Sequence, residues 1–388
     1  MTESKDTLLY VTKQVSRLAA ESLKTGDVNK AERYYRFGLE AATDLGDRKA
    51  QIDISRGLLQ VYLRKGNYKE AEKLQRKSLE IAKSLKDRAA EAGALYGLGI
   101  ILQRQGRYDE AEYLYNQCLE IARERGDDAG RSKGLHQLGI IAELRGRYDE
   151  AERLYRQSLE IKRRRGDQLP IARSLTQLGI IAVLRGKYDE AEGFYNDSLR
   201  IKEKLGDQVG VSVNLYNLAA LAYKRHRFDQ AEDLCKRSLE IRRKFGNLAG
   251  IPKCLSLLGM VSYQMDRLDE AEGLFRESLE ISQRIGDQSG IADTLHILGR
   301  IEHLKGSYDE AKKLYNESLA IKRKLGDQSG IALTLAQLGR LSESQKDLTA
   351  AEKYYMEANE IFEKLGEKPN LELSKKDLER IRRLKEKT

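Results

Sequence analysis

The sequence predicts an all-α solenoid: nine tandem helix–turn–helix repeats over residues 1–366, closed by a polar C-terminal capping helix over 367–388. Three observations predict it. A pattern recurs every 40 residues without insertion or deletion. Turn glycines recur at two fixed places in that pattern, while only 3 prolines in 388 residues stand to interrupt a helix. Between the glycines, apolar residues fall at the three-to-four spacing of a helix face.

The string YDEAE starts at Tyr108, Tyr148 and Tyr188, and variants of it start at Val28, Tyr68, Phe228, Leu268, Tyr308 and Leu348. One alanine column therefore runs from Ala31 through Ala151 to Ala351. A glycine column holds Gly26, Gly66, Gly106, Gly146, Gly186 and Gly306. Another holds Gly46, Gly126, Gly166, Gly206, Gly246, Gly286, Gly326 and Gly366.

Each period reads as two helices. First helices are expected near 4–24, 48–64, 88–104, 128–144, 168–184, 208–224, 248–264, 288–304 and 328–344. In the fourth, Leu135, Leu138, Ile141, Ala142 and Leu144 supply the apolar stripe and Gly146 stops it. Second helices are expected near 28–45, 68–85, 108–125, 148–165, 188–205, 228–245, 268–285, 308–325 and 348–365. Asp149 with Glu152 reads as a capping box, repeated at Asp109/Glu112, Asp189/Glu192, Asp229/Glu232 and Asp269/Glu272. Gly166 then ends the helix and Asp167 caps the next one. Pro170 falls at a helix start, whereas Pro252 lies deeper and predicts a late start for its helix. Leu371 to Lys385 reads as a last, polar helix that covers an open face. His226, Asp266 and Lys346 stand where the other repeats place a turn glycine, so local opening is expected around His226 and Lys346, with Asp266 less affected.

These columns resemble the tetratricopeptide repeat. The residues that carry the resemblance are Leu135, Leu138, Gly139, Ala151 and Tyr155, with Leu175, Leu178, Gly179, Ala191 and Tyr195, and Leu295, Leu298, Gly299, Ala311 and Tyr315. The period is 40 instead of 34 and the proline after the second helix is missing, as in the extended repeats of kinesin light chains and Pins-type adaptors. The resemblance implies a right-handed superhelix with first helices lining a concave groove, and a non-enzymatic protein-interaction scaffold. Those relatives often carry N-L-G-N in the first helix, where this chain has Q-L-G-I at Gln137–Ile140 and Gln177–Ile180 and keeps the first Asn only at Asn217.

Variable columns on the first helices are the candidate ligand positions, because stacking demands constant residues and leaves the others free. Lys133, Arg173 and Lys253, with Gln137, Gln177 and Asn217, offer cationic and amide donors. His136, Ile140 and Ile180 lie in the same columns. Tyr216, Tyr223, Met260 and Tyr263 form an amphipathic aromatic patch of the kind found at binding hot spots, or fill space between helices. The expected partner is an extended or helical protein segment with an apolar anchor and an acidic flank.

The net charge is +9, and residues 151–250 hold 20 Lys/Arg against 13 Asp/Glu. The excess clusters at second-helix ends: Lys162, Arg163, Arg164 and Arg165; Arg242, Arg243 and Lys244; Lys322, Arg323 and Lys324. Two readings stand: cations complementing helix dipoles, or a basic ridge for nucleic acid or another anion. Self-assembly through complementary ends is a third functional reading. No cofactor, metal or catalytic residue is expected. His296 and His303 lack a third ligand column, and the recurring carboxylates read as helix caps. Cys118, Cys235 and Cys254 are scattered and odd in number, which predicts reduced, buried thiols. The absence of a long apolar run or a leader pattern predicts a cytoplasmic protein with no membrane contact.

Overall fold

The structure, a computed structural model, describes residues 14–23 and 25–386. All regular structure among them is helical. Helix α1 covers 14–23, so residues 4–13 of the expected first helix lie outside the described residues. It is followed by α2 (Val28–Asp44), α3 (Arg48–Lys65), α4 (Tyr68–Ser84), α5 (Arg88–Arg104), α6 (Tyr108–Glu124), α7 (Asp128–Leu144), α8 (Tyr148–Arg165), α9 (Gln168–Leu184) and α10 (Tyr188–Lys204). Then come α11 (Gln208–Lys224), α12 (Phe228–Lys244), α13 (Ile251–Gln264), α14 (Leu268–Ile285), α15 (Gln288–Leu304), α16 (Tyr308–Leu325), α17 (Gln328–Ser344), α18 (Leu348–Leu365) and α19 (Lys368–Lys385). Consecutive helices are antiparallel, and odd and even members alternate as first and second helices of a repeat.

The chain divides into two compact units, Met1–Ile201 and Lys202–Thr388. In the first, the core runs through Leu102, Tyr115, Leu138, Ile141, Tyr155, Leu178 and Ile181. A neighbouring cluster joins Ala19, Ala31, Tyr35, Leu58 and Tyr62. In the second, Cys235, Cys254 and Leu258 form one cluster, Phe275, Leu295 and Leu298 another, and Tyr315, Leu335 and Phe362 a third. Helix α19 lays Leu378 and Ile381 on Ala351 and Tyr355 of α18. It begins three residues earlier than the apolar pattern indicates, with Pro369 in its first turn, where the missing amide is no loss.

The Leu-Gly pair carried by α5, α7, α9, α13, α15 and α17 has a steric reason. A Cβ on Gly179 would stand 2.4 Å from the Tyr195 ring, and one on Gly139 would stand 2.6 Å from the Tyr155 ring. The tyrosine of the second helix therefore packs directly on the first-helix backbone. Serines brace the same helix pair: Ser158 Oγ donates to the Ser132 carbonyl at 2.7 Å, and Ser318 Oγ to the Ala292 carbonyl at 2.6 Å.

First helices are capped as expected, with Asp127 accepting from Gly130 N and Asp207 from Gly210 N. Asp167 departs from this. The residue three further on is Pro170, which has no N–H, and Asp167 instead accepts from Arg165 Nε at 2.7 Å. The late start at Pro252 also holds: Leu248–Gly250 forms a 3-10 turn and α13 begins at Ile251.

The capping boxes do not form where their caps are described. Helices α6, α8, α12 and α14 begin one residue before the expected aspartate, with Arg107, Arg147, Arg227 and Arg267 at the caps and no side-chain cap bond. Their glutamates are drawn to the following repeat instead. Glu112 pairs with Arg147 at 2.8 Å, Glu232 with Arg267 at 2.6 Å and Glu272 with Lys305 at 2.6 Å. Asp109, Asp149 and Asp269 do likewise, reaching Arg145, Arg185 and Lys305.

Candidate functional site

The first helices present their variable columns on one face in each unit. In the first unit, Lys133 on α7 and Arg173 on α9 are exposed, while His136, Gln137, Ile140, Gln177 and Ile180 are half-buried. Gln137 Nε2 donates to the Tyr96 hydroxyl at 2.9 Å, and Ile140 packs on the core. His136 rests against the Tyr155 ring at 5.3 Å, and its Nδ1 is buried without a partner. Burial, with the Lys162 and Arg173 charges, pushes its imidazole down to about 4, so it is neutral near pH 7. Of this set, Lys133 and Arg173 are the side chains that stand exposed.

In the second unit, Tyr216, Asn217 and Tyr223 on α11 and Met260 and Tyr263 on α13 are half-buried, and Lys253 is exposed. Tyr216 receives the Arg242 guanidinium on its ring at 5.3 Å. Tyr263 is likewise covered by Arg300, which also donates to its hydroxyl at 3.3 Å. Tyr223 meets the Phe228 ring at 5.8 Å with the two planes tilted by 56°. Tyr216, Tyr223 and Met260 flank one core cluster, while Tyr263 and Met260 flank the next. The aromatic patch thus serves packing with one edge and remains available with the other.

Tyr216, Lys253 and Met260 line a cleft of about 650 Å³ that continues across α14–α17 to Ser282, Asp293 and Lys322. A second cleft, of about 500 Å³, lies in the first unit beside Gly93, Gly97 and Ala122, with Arg56, Arg125 and Lys133 among its lining side chains. Ser282 and Asp287 were not among the sequence-derived site residues, whereas Asp293 shares the variable column of Lys133, Arg173 and Lys253. Their signal was a break in a column: Ser282 replaces the cation found at Lys162, Lys202, Arg242 and Lys322.

That column also corrects the basic ridge. Lys162, Arg242 and Lys322 are buried, with 6%, 4% and 4% exposure. Lys162 Nζ donates to Ser174 Oγ at 2.7 Å, Arg242 donates to the Gly250 carbonyl at 2.6 Å, and Lys322 pairs with Asp293 at 3.2 Å. Their stems fill space between successive helix pairs, which is why cations at helix ends turn inward here. Arg163, Arg164, Arg165, Arg243, Lys244, Arg323 and Lys324 do lie exposed. Arg243 and Arg323 are spent on Glu277 at 2.5 Å and Glu357 at 2.9 Å.

All three cysteines are buried and free, and burial raises the Cys118 thiol to about 12. Among the described residues, no group of three or more His, Cys, Asp or Glu side chains converges to hold a metal ion. None of the helices there is long and apolar enough to cross a membrane.

A family model described as tetratricopeptide repeat matches residues 14–84, 90–164, 134–204, 210–284, 251–324 and 290–364. No curated protein matches the chain. Among solved structures, the quorum sensor NprR from B. thuringiensis, in its apo form, is similar with 16% identity and a TM-score of 0.65, over 90% of this chain and 98% of that one. A Rap protein complexed with Competence and Sporulation Factor is similar with 16% identity and a TM-score of 0.57, over 86% of this chain and 98% of that one. BtubC from P. vanneervenii is similar with 23% identity and a TM-score of 0.51, over 56% of this chain and 92% of that one. At these identities the likeness is one of fold.

Proposed function

The chain belongs to the tetratricopeptide-repeat family, and from that membership we propose that it is a non-catalytic docking module for a protein segment, held on the first-helix face of the second unit. The observation that carries this reading is the coincidence of half-exposed Tyr216 and Met260 with exposed Lys253 around the 650 Å³ cleft; α13, which brings Lys253 and Met260 there, also carries half-exposed Tyr263. Aromatic rings with one face packed present binding area at little entropic cost. The cleft admits an apolar anchor, and Lys253 suits an acidic flank. A structural neighbour solved with Competence and Sporulation Factor supports the use of such a scaffold to hold a ligand. The withdrawal of Lys162, Arg242 and Lys322 from the surface weighs against the basic ridge as the principal contact.

The test is selection of peptides from a random display library on the full chain, followed by calorimetry. Tyr216→Ala with Tyr263→Ala should weaken the selected peptides strongly, each truncation costing about 2 kcal/mol if it is a hot spot. Neutralising Arg163, Arg164 and Arg165 should leave them nearly unchanged. Circular dichroism verifies that each variant is folded. The reverse pattern, or failure of selection to enrich any peptide, would contradict the reading.

A further inference from the structure

The cleft of the second unit contains a slot whose shape is set by a missing side chain. At Lys202, Arg242 and Lys322 the slot is filled from within. A glycine eight residues later makes room for the stem: a Cβ on Gly210, Gly250 or Gly330 would stand 2.9 Å from Lys202 Cδ, Arg242 Cδ or Lys322 Cδ respectively. A carboxylate or carboxamide five residues after the cation, at Asp207, Asn247 and Asp327, borders the same space.

The step from the seventh to the eighth repeat keeps the glycine and the carboxylate, Gly290 and Asp287, but has Ser282 in place of the cation. A Cβ on Gly290 would meet Ser282 Oγ at 3.3 Å and no stem. Ser282 is fully buried, lines the cleft, and its hydroxyl has no hydrogen-bond partner. Asp287 spends Oδ1 on the Gly290 amide at 3.0 Å. A buried hydroxyl left without a partner is costly, and this one belongs to a residue of the cleft wall, with the Asp287 carboxylate against the same Gly290 position.

We propose that this slot receives the alkylammonium or guanidinium side chain of a lysine or arginine in the docked segment, which takes the place of the cation that the neighbouring repeats supply themselves. This assignment rests on the docking reading above and names one side chain of the segment. Ser282 Oγ accepts from the incoming cation, and Asp287 sets its charge preference. Lys322 at the same cleft is already held by Asp293 at 3.2 Å, which leaves the Asp287 carboxylate beside the slot and the exposed Lys253 as the cleft's other carboxylate and ammonium side chains. The first unit's cleft also lacks the cation, at Ala122, but it sets Arg56, Arg125 and Lys133 against Asp127 alone. It would repel the same group, so the slot at Ser282 is the one assigned. The first two repeats are different again, because Ala50 and Ala90 replace the glycine.

The probes are butylguanidinium and butylammonium, with butyrate and butanol as charge controls, followed by ligand-observed saturation-transfer NMR on the full chain. The two cations should bind at millimolar concentration, and the controls should not. Ser282→Lys, which copies the residue of the eighth repeat, should reduce the cation signal at least fivefold while circular dichroism stays unchanged. Ser282→Leu closes the slot without adding charge and should do the same, which guards against a misfolded Lys variant. Ser282→Ala leaves the slot open and should cost no more than about threefold. Cation binding unaffected by both slot-filling variants, butyrate binding as well as the cations, or no cation signal at all would each overturn the assignment. None of these outcomes touches peptide selection on the Tyr216 and Tyr263 face, so the two readings fail separately.

Discussion

At Lys162 a helix-end cation is buried and holds Ser174 Oγ at 2.7 Å. Burial first, and then the Arg173 charge, push its ammonium down to about 8 from an ordinary value of 10.5. Between those two pH values the unfolded chain holds a proton that the folded chain has released, so stability rises as pH climbs from about 8 to 10.5. At pH 7 the folded protein carries the cost of a buried charge. Lys162→Met should therefore stabilise the protein near pH 7, by about 1–3 kcal/mol, and the gain should shrink above pH 10. Chemical denaturation across that pH range measures both effects, and destabilisation by Met at every pH would refute the argument. Backbone strain is the other residue-scale cost. His226, Asp266 and Lys346 adopt the left-handed conformation expected at their turns, with φ of 58°, 59° and 63°. Lys86, at φ 56°, joins them at a position where the glycine column has a gap that the sequence reading passed over. Aspartate tolerates this conformation better than Lys or His. Hydrogen exchange should accordingly be fastest around Lys86, His226 and Lys346, and uniform protection at all turns would contradict it.

At the scale of the element, the Gly–aromatic contact between the two helices of a repeat explains both the rule and its exceptions. Where Ala219 replaces the glycine, the aromatic partner becomes Cys235, and both are fully buried. The pair exchanges volume across one contact. Gly179→Ala should overpack Tyr195 and cost about 1–3 kcal/mol. Combining it with Tyr195→Cys should cost less than the sum of the two single changes, measured as a coupling energy in a double-mutant cycle. Simple additivity would show that the contact does not constrain the pair. Helix boundaries and turns were legible in the sequence because each is set by local chemistry: a capping Asp, a turn glycine, a missing proline amide. The capping boxes were misread for the opposite reason. Glu112, Glu232 and Glu272 have the right local spacing, but arginines and lysines 33–35 residues away claim them, and no local pattern records that competition.

For the whole molecule, the repeat was legible because stacking imposes the same residue on the same column in every period. The candidate site was only partly so. Tyr216, Lys253 and Met260 were found as variable positions, and they do border one cleft. Its far side, at Ser282 and Asp287, was hidden because the cation column reads as solvated helix ends until burial turns it inward. The charge of residues 151–250 therefore overstates the surface available to an anion, since Lys162, Lys202 and Arg242 are all buried. The central claim is that a protein segment docks on the first-helix face and not on the outer cations. Its most direct test places p-benzoylphenylalanine at Lys253 in one protein and at Arg164 in another, both exposed positions. Each is irradiated with a peptide selected on the unmodified chain, and the adducts are mapped by mass spectrometry. The account predicts a specific adduct from position 253, lost when unlabelled peptide competes, and none from position 164. An adduct from position 164 with none from 253 would contradict it.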